Sequence, residues 1–363
     1  MEEFAFTFFE NATATVNGNI SDERETALHL EPSKVIAVIS AKTYIVLVAL
    51  FSYANVIVGT LGIVNNLFVI ITYGKIGFSD TINISYIALA ISDLGAVSTR
   101  LWGALCFVFA VTDTDLPFNP GELAILSSFW PAQGFEKITA FITAFIALER
   151  CLCVQFPLHV KRMVTKKRTV FILVFAYVFG LGPQNLSYFV FNIQSIFNPE
   201  QNKTIIRLVK LPGVARSITL RVLFAYYGTF LHFTAMFTVW ICTIFLAITL
   251  RKIATIRDKS LGQVSTKHDR KKKQHVIKTV FLLATTYLAF STPTAGTLLV
   301  PHFEPEFETT KALARIATVS HLLSGLMSQF NSSTNLYIYV YMGSKFRETF
   351  LALFKKTVPS TKG

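Results

Sequence analysis

Charge is what this sequence has least of. Asp, Glu, Lys and Arg make up 15% of its 363 residues, where a soluble globular chain is nearer a quarter. So few charges cannot coat a water-facing surface. The length alone would allow about two soluble domains, but the shortage points instead to one membrane-embedded domain. Cysteine is also scarce. Cys106, Cys151, Cys153 and Cys242 each lie in or at the edge of an apolar segment. No disulfide framework is expected, and the four read as apolar packing thiols. Cys151 and Cys153 have no nearby histidine to complete a metal site. The first residues are acidic and aromatic and lack the basic start and long apolar core of a cleaved signal peptide. The first membrane segment is therefore expected to act as the targeting signal.

Other absences exclude whole activities. No lysine falls between Ala312 and Met342, which removes the Schiff base of a retinal protein. There is no H-E-x-x-H, no G-x-S-x-G and no pair of membrane aspartates on facing spans, so an enzyme is not expected. No alternating pattern of about ten residues recurs, which argues against a barrel. The net charge of +13 is split into short basic runs between apolar segments. It forms no basic domain that would suit a nucleic acid.

What is present is apolar: 52% hydrophobic residues, including 34 phenylalanines. Crossing a bilayer takes about 20 apolar residues. Seven such spans are found, approximately Thr43–Tyr73, Ile82–Val111, Glu122–Phe156, Thr169–Asn192, Thr219–Leu250, Val276–Val300 and Ala312–Met342. The fold class is thus an all-α seven-helix membrane bundle. The loops on one side carry roughly twice as many Lys and Arg as those on the other, which makes that side cytoplasmic and the N-terminus extracellular. The sequons at Asn11, Asn19 and Asn202 fall on the expected outer side. A plasma-membrane, multi-pass protein results: a glycosylated tail over 1–42, a bundle over 43–342, and a tail over 343–363. In that tail Phe346, Phe350 and Phe354 recur every four residues among basic ones. This predicts a short amphipathic helix lying on the anionic inner leaflet.

Ionisable groups inside a membrane are costly and mark function. Asp93 sits in the middle of span 2, Asn66 in span 1 and Thr139 in span 3. Asn331, Ser332 and Asn335 lie in span 7. Asn331 and Asn335 are four apart, so one helical face presents both amides. A carboxylate facing amides and hydroxyls can stay charged around a small hard cation, here Na+, or around waters. No other cofactor is implied. At the end of span 3, Glu149 and Arg150 precede a proline-leucine turn at Pro157 and Leu158. Pro293 breaks the backbone ladder of span 6.

Asn66, Leu89 to Asp93, Glu149-Arg150-Cys151, Pro293 and Asn335 to Tyr339 occur in this order on spans 1, 2, 3, 6 and 7, with Pro157-Leu158 just after span 3. In this the chain resembles the rhodopsin-like family of G protein-coupled receptors. The resemblance implies that Glu149 holds Arg150 until activation and that Pro293 is a hinge for outward movement of span 6. It further implies that Leu158 docks into a heterotrimeric G protein and that Tyr339 takes part in the switch. There are departures. Ile125 stands where the family has its loop-bonding cysteine, and Ser291 stands where the switch tryptophan usually sits. Leu336 replaces a proline, and Lys273 replaces an acid that would face Arg150. A chain so altered is expected to hold its resting state weakly. Ala132 occupies the amine-binding aspartate position, so a monoamine is not the expected ligand. Arg100, Trp130, Gln133, Glu136 and His232 are the candidate ligand contacts. Their mixed charge suits a peptide or a small zwitterion. The pattern resembles invertebrate chemosensory and neuropeptide receptors, and the choice between them stays open. The competing reading is a multi-pass transporter of a small charged solute, although the seven dissimilar spans show no paired repeats.

Overall fold

A computed structural model describes residues 39–112, 118, 123–156, 164–198, 203–210, 226–259, 267–304, 306–307 and 313–355. Asn11, Asn19, Asn202, Pro157 and Leu158 lie outside them. The described residues form seven long helices, a short eighth and a two-stranded hairpin.

Local chemistry sets the helix ends. α1 (Ala41–Ile76) begins where the Ser40 hydroxyl accepts a bond from the Thr43 amide at 3.2 Å. This is an N-cap that satisfies one of the unpaired first-turn donors. It stops at Gly77, whose φ of 92° suits a residue without Cβ. α2 (Thr81–Thr112) follows after a short turn. A π-helical turn (Ile125–Phe129) leads into α3 (Trp130–Gln155), with Pro131 in the first turn, where its missing N–H costs nothing. α4 (Lys166–Leu181) is capped by Thr165. A second π-helical turn (Tyr226–Phe230) opens α5 (Leu231–Lys259). α6 (Lys267–Phe303) contains Pro293, α7 is Ala314–Met342 and α8 is Ser344–Ala352.

Five stretches are long and apolar enough to cross a bilayer unaided: Lys42–Ile76, Thr81–Phe109, Leu126–Gln155, Gly228–Lys252 and Val276–Pro301. The other two helices explain themselves. α4 has 16 residues, about 24 Å at 1.5 Å per residue, short of a core of about 30 Å. α7 has 29 residues but carries the polar run Ser328 to Asn335. The expected fourth span, Thr169–Asn192, therefore needs correction. Its helix ends at Leu181, because Pro183 cannot donate to continue the ladder. The chain then tightens into a 3₁₀ turn (Pro183–Val190) and enters β1 (Phe191–Asn198). β1 pairs antiparallel with β2 (Lys203–Lys210), from Phe191 opposite Lys210 to Asn198 opposite Lys203. Ile206 of β2 also bridges to Phe118 in the α2–α3 connection. Main-chain pairing thus joins the hairpin to the α2–α3 connection.

Around the bundle α1 packs on α2, α2 on α3, α3 on α4 and α5, α5 on α6, α6 on α7, and α7 back on α1. α3 is central and touches α2, α4, α5 and α6. Its Ile138, Ile142 and Ile146 recur every four residues and are buried in the main core with Leu173, Leu246 and Val69. A short helix, α8, follows α7, and part of its apolar face meets protein. Phe346 is buried against Tyr73 and Tyr339, with ring centres 4.8 and 5.6 Å away, and Phe350 lies 5.6 Å from Phe68. Protein takes up most of the phenylalanine stripe, because α8 folds back onto α1 and α7. Phe354, 61% exposed, keeps an edge against Phe68 at a ring-centre distance of 5.6 Å, and Leu351 is 52% exposed.

Candidate functional site

Tyr86, Asp93 and Arg100 stand seven residues apart on α2, so one stripe of that helix points all three into the bundle. Each lies level with a polar layer. The middle layer centres on Asp93, which is fully buried. Its Oδ1 accepts hydrogen bonds from the Thr139 and Ser332 hydroxyls, both at 2.8 Å, and its Oδ2 accepts one from Asn335 Nδ2 at 2.7 Å. The Ser92 and Thr139 hydroxyls lie 3.0 Å apart. Asn66 joins through the backbone, its amide donating to the carbonyls of Gly62 and Ser332 at 2.9 and 2.8 Å. Asn331 does not reach the carboxylate. It lies one turn from Asn335, about 6 Å along the axis, and its backbone carbonyl accepts from the Thr334 hydroxyl. Ser332 takes the place expected for it.

This cluster offers hard oxygen donors around one carboxylate, as a small monovalent cation requires. Asp93, Ser332, Thr139 and Ser92 would hold such an ion. Among the described residues no group of three His, Cys, Asp or Glu side chains assembles elsewhere.

The second layer lies two turns away along α2. Arg100 donates from Nε (2.6 Å) and from Nη2 to Glu136 Oε1. Arg100 needs room, and Gly325 of α7 supplies it: a Cβ there would come within 2.6 Å of Nη1. Beside this pair is a cavity of about 100 Å³ between α1, α2, α3 and α7. Ser52, Asn55, Ser128 and His321 give it polar walls, while Ala132 and Phe107 contribute apolar ones. Of the five expected ligand contacts only Arg100 lines it. Trp130 points elsewhere, being two residues, about 200°, from Ala132 on α3. It packs with Phe107, Cys106 and Tyr44 in the apolar cluster behind the cavity wall. Gln133 is half-buried and lines neither this cavity nor the groove between α3, α4 and α5. Glu136 reaches the cavity only through Arg100. His232 is buried across the bundle on α5, beside the backbone of Ser291.

The third layer closes the end where the basic loops emerge. Glu149 is buried, and its Oε1 accepts from Arg150 Nη2 at 3.0 Å and from the Thr81 hydroxyl at 2.7 Å. Glu149 Oε2 and Arg150 Nε have no partner among the described residues, so the pair is joined at a single oxygen. Next to it Tyr339 meets Tyr86 and Tyr73 at ring-centre distances of 4.8 and 5.2 Å. Lys273 lies within α6, but its side chain is outside the described residues.

A buried carboxylate network, an acid–arginine pair closing α3 and a proline inside α6 now sit in one seven-helix bundle. Residues 53–357 match the profile of the Srw family, described as serpentine type 7TM GPCR chemoreceptors. The chain belongs to that family. A search among curated proteins found no match. Srw membership makes this a chemoreceptor of the G protein-coupled kind, a multi-pass protein of the plasma membrane, in a family that is not one of enzymes. It carries with it, in general, an extracellular ligand and a G protein partner.

Several residues of this Srw receptor's interior escape sequence reasoning. Thr81 binds Glu149 across two helices, and no local pattern announces that. Asn65 donates to the Ser333 carbonyl at 2.9 Å, and its signal was visible in the Asn65-Asn66 doublet. The α1–α7 contact had a signal too, in Gly59 and Gly62. A Cβ at either would come within 2.3 Å of Gln329 or Ser333.

Proposed function

We propose that this Srw receptor is rhodopsin-like in mechanism and senses a small polar molecule from outside the cell. The basic end of the bundle is cytoplasmic in this reading, and the opposite end, with the cavity beside Arg100, is extracellular. The observation that carries it is the Arg100–Glu136 pair on the cavity wall, one turn of α3 from Thr139 and thus from the Asp93 network. A ligand that competes for Arg100 changes what Glu136 and α3 are tied to, and differential contact of this kind is what shifts a two-state equilibrium. The size of the cavity favours a small chemosensory molecule, or one terminal side chain, over the body of a neuropeptide. Occupancy of the Asp93 site by Na+ would supply a positive charge that steadies the resting network.

At the cytoplasmic end, Glu149 holds Arg150 at rest. Pro293 leaves the Ala289 carbonyl without its ladder partner, which makes α6 the element that swings outward. Arg150 is then free to face the G protein, with Pro157 and Leu158 as docking residues. The test is a G protein nucleotide-exchange panel on the receptor in membranes, screened with amino acids, small zwitterions and short peptides. Responses to a small molecule that disappear in Ser128→Trp, which fills the cavity, are expected. Responses untouched by that substitution would refute the cavity as the ligand site.

A further inference from the structure

Glu136 is a single acid between two bases. Its Oε1 is engaged by Arg100. Lys137, the next residue on the helix, points about 100° away, toward the gap between α3, α4 and α5. Its residue is 8% exposed, and Nζ donates one bond, at 3.2 Å, to the Gly228 carbonyl in the π-helical turn before α5. The charged and titratable groups that act on it are Glu136, Arg100 and His232, so the only acid among them is already taken. An ammonium has three N–H donors, which leaves two to be met in the middle of a membrane.

Lys137 stands at one end of a groove of about 250 Å³ on the outer, lipid-facing wall. Phe141, Leu148, Phe175 and Phe179 form its sides and are exposed. Small buried residues, Ala140, Ala144 and Ala176, line its floor, and Thr234 forms part of the α5 rim. From Lys137 to Leu148 the groove runs about 16 Å along α3 at 1.5 Å per residue. One leaflet's acyl chain covers about the same distance, half of a core of about 30 Å.

We infer that this groove binds a free long-chain fatty acid that enters sideways from the bilayer, with its carboxyl on Lys137 and its chain against the phenylalanines. A phospholipid can lay a chain there but cannot bring its phosphate to Lys137, which lies about 18 Å along α3 from Glu149 at the membrane edge. A fatty acid carries its acid on the end of a single chain. Its two oxygens accept the remaining N–H donors. Whether the shared proton rests on nitrogen or on oxygen, the pair adds no net charge to the hydrocarbon.

The inference rests on the bundle's geometry and not on the proposed signalling. A receptor silent toward G proteins would still give the readout. The full-length receptor in phosphatidylcholine nanodiscs is photolabelled with a diazirine analogue of palmitic acid and mapped by mass spectrometry. Label is expected on the α3, α4 and α5 segments. Palmitic acid should displace it about tenfold more effectively than its methyl ester, as one charge-assisted bond implies. Lys137→Met should erase that difference, Lys137→Arg should keep it, and Thr234→Trp, on the exposed rim, should lower labelling several-fold. Label spread evenly over all lipid-facing helices would overturn the inference, as would equal competition by acid and ester. If Lys137→Met does not fold, Lys137→Arg and Thr234→Trp decide. Unchanged labelling in Thr234→Trp, or loss of the acid preference in Lys137→Arg, would also overturn it.

Discussion

Asp93 is held asymmetrically, and that asymmetry fixes the order of two mutational effects. Among the described residues Oδ1 has two donors, Thr139 and Ser332, whereas Oδ2 has one, Asn335. Ser332→Ala removes one bond and leaves Oδ1 with the other. Asn335→Leu fills the same space but strips Oδ2 of its only partner in a fully buried site. A hydrogen bond to a charged group contributes about 1.5–3 kcal/mol, and an orphaned charged acceptor costs more than a shared one. Bonds inside membranes often measure less, about 0.6 kcal/mol on average. Asn335→Leu should therefore cost about 1.5–3 kcal/mol and Ser332→Ala about 0.5–1 kcal/mol. For a chain this long about 2 °C per kcal/mol applies, so the first variant should melt roughly 3–6 °C lower and the second roughly 1–2 °C lower. The protein carries its own reporter. Cys106, Cys151 and Cys242 are buried free thiols, and a thiol-reactive dye in detergent reads their exposure on heating. A Ser332→Ala loss equal to or larger than that of Asn335→Leu would refute the assignment. So would an Asn335→Leu effect that persists undiminished in an Asp93→Asn background.

Three other outcomes follow from the same geometry. Glu149→Gln should weaken the hold on Arg150, bound at a single oxygen, and raise ligand-free second-messenger output about twofold or more at matched surface expression; unchanged output would count against the proposed hold. Gly325→Ala puts a Cβ within 2.6 Å of Arg100 Nη1 and should raise the half-maximal ligand concentration about tenfold, read as a shifted dose–response curve with normal expression. Phe346→Ala removes a side chain only 2% exposed among three aromatic neighbours and should cost about 3–5 kcal/mol, whereas Phe354→Ala should leave the melting temperature nearly unchanged.

Periodicity and composition carried the bundle. The apolar runs require membrane helices, and the Leu89 to Asp93, Glu149-Arg150 and Asn335 to Tyr339 motifs can be placed on their helices from sequence. What could not be read depended on rotation and depth. Asn331 and Asn335 share a face, yet only one is level with Asp93. Trp130 and Ala132 are two residues apart, and that difference separates a core residue from a cavity wall. The hairpin is hidden in sequence because the apolar run of the fourth span continues into Phe191, the first residue of β1. The β-branched run Thr204-Ile205-Ile206 was the signal that could have revealed it.

That hairpin bears on how the receptor answers to its surroundings. The connection from α4 to α5 is closed by an eight-pair ladder and the Phe118–Ile206 bridge, and the four cysteines are free thiols. Sulfur chemistry takes no part in that closure. A reductant has nothing there to cut, and an oxidising medium nothing to complete. The hairpin answers to heat and to denaturant, as any strand pair does, and is indifferent to the redox state of its surroundings.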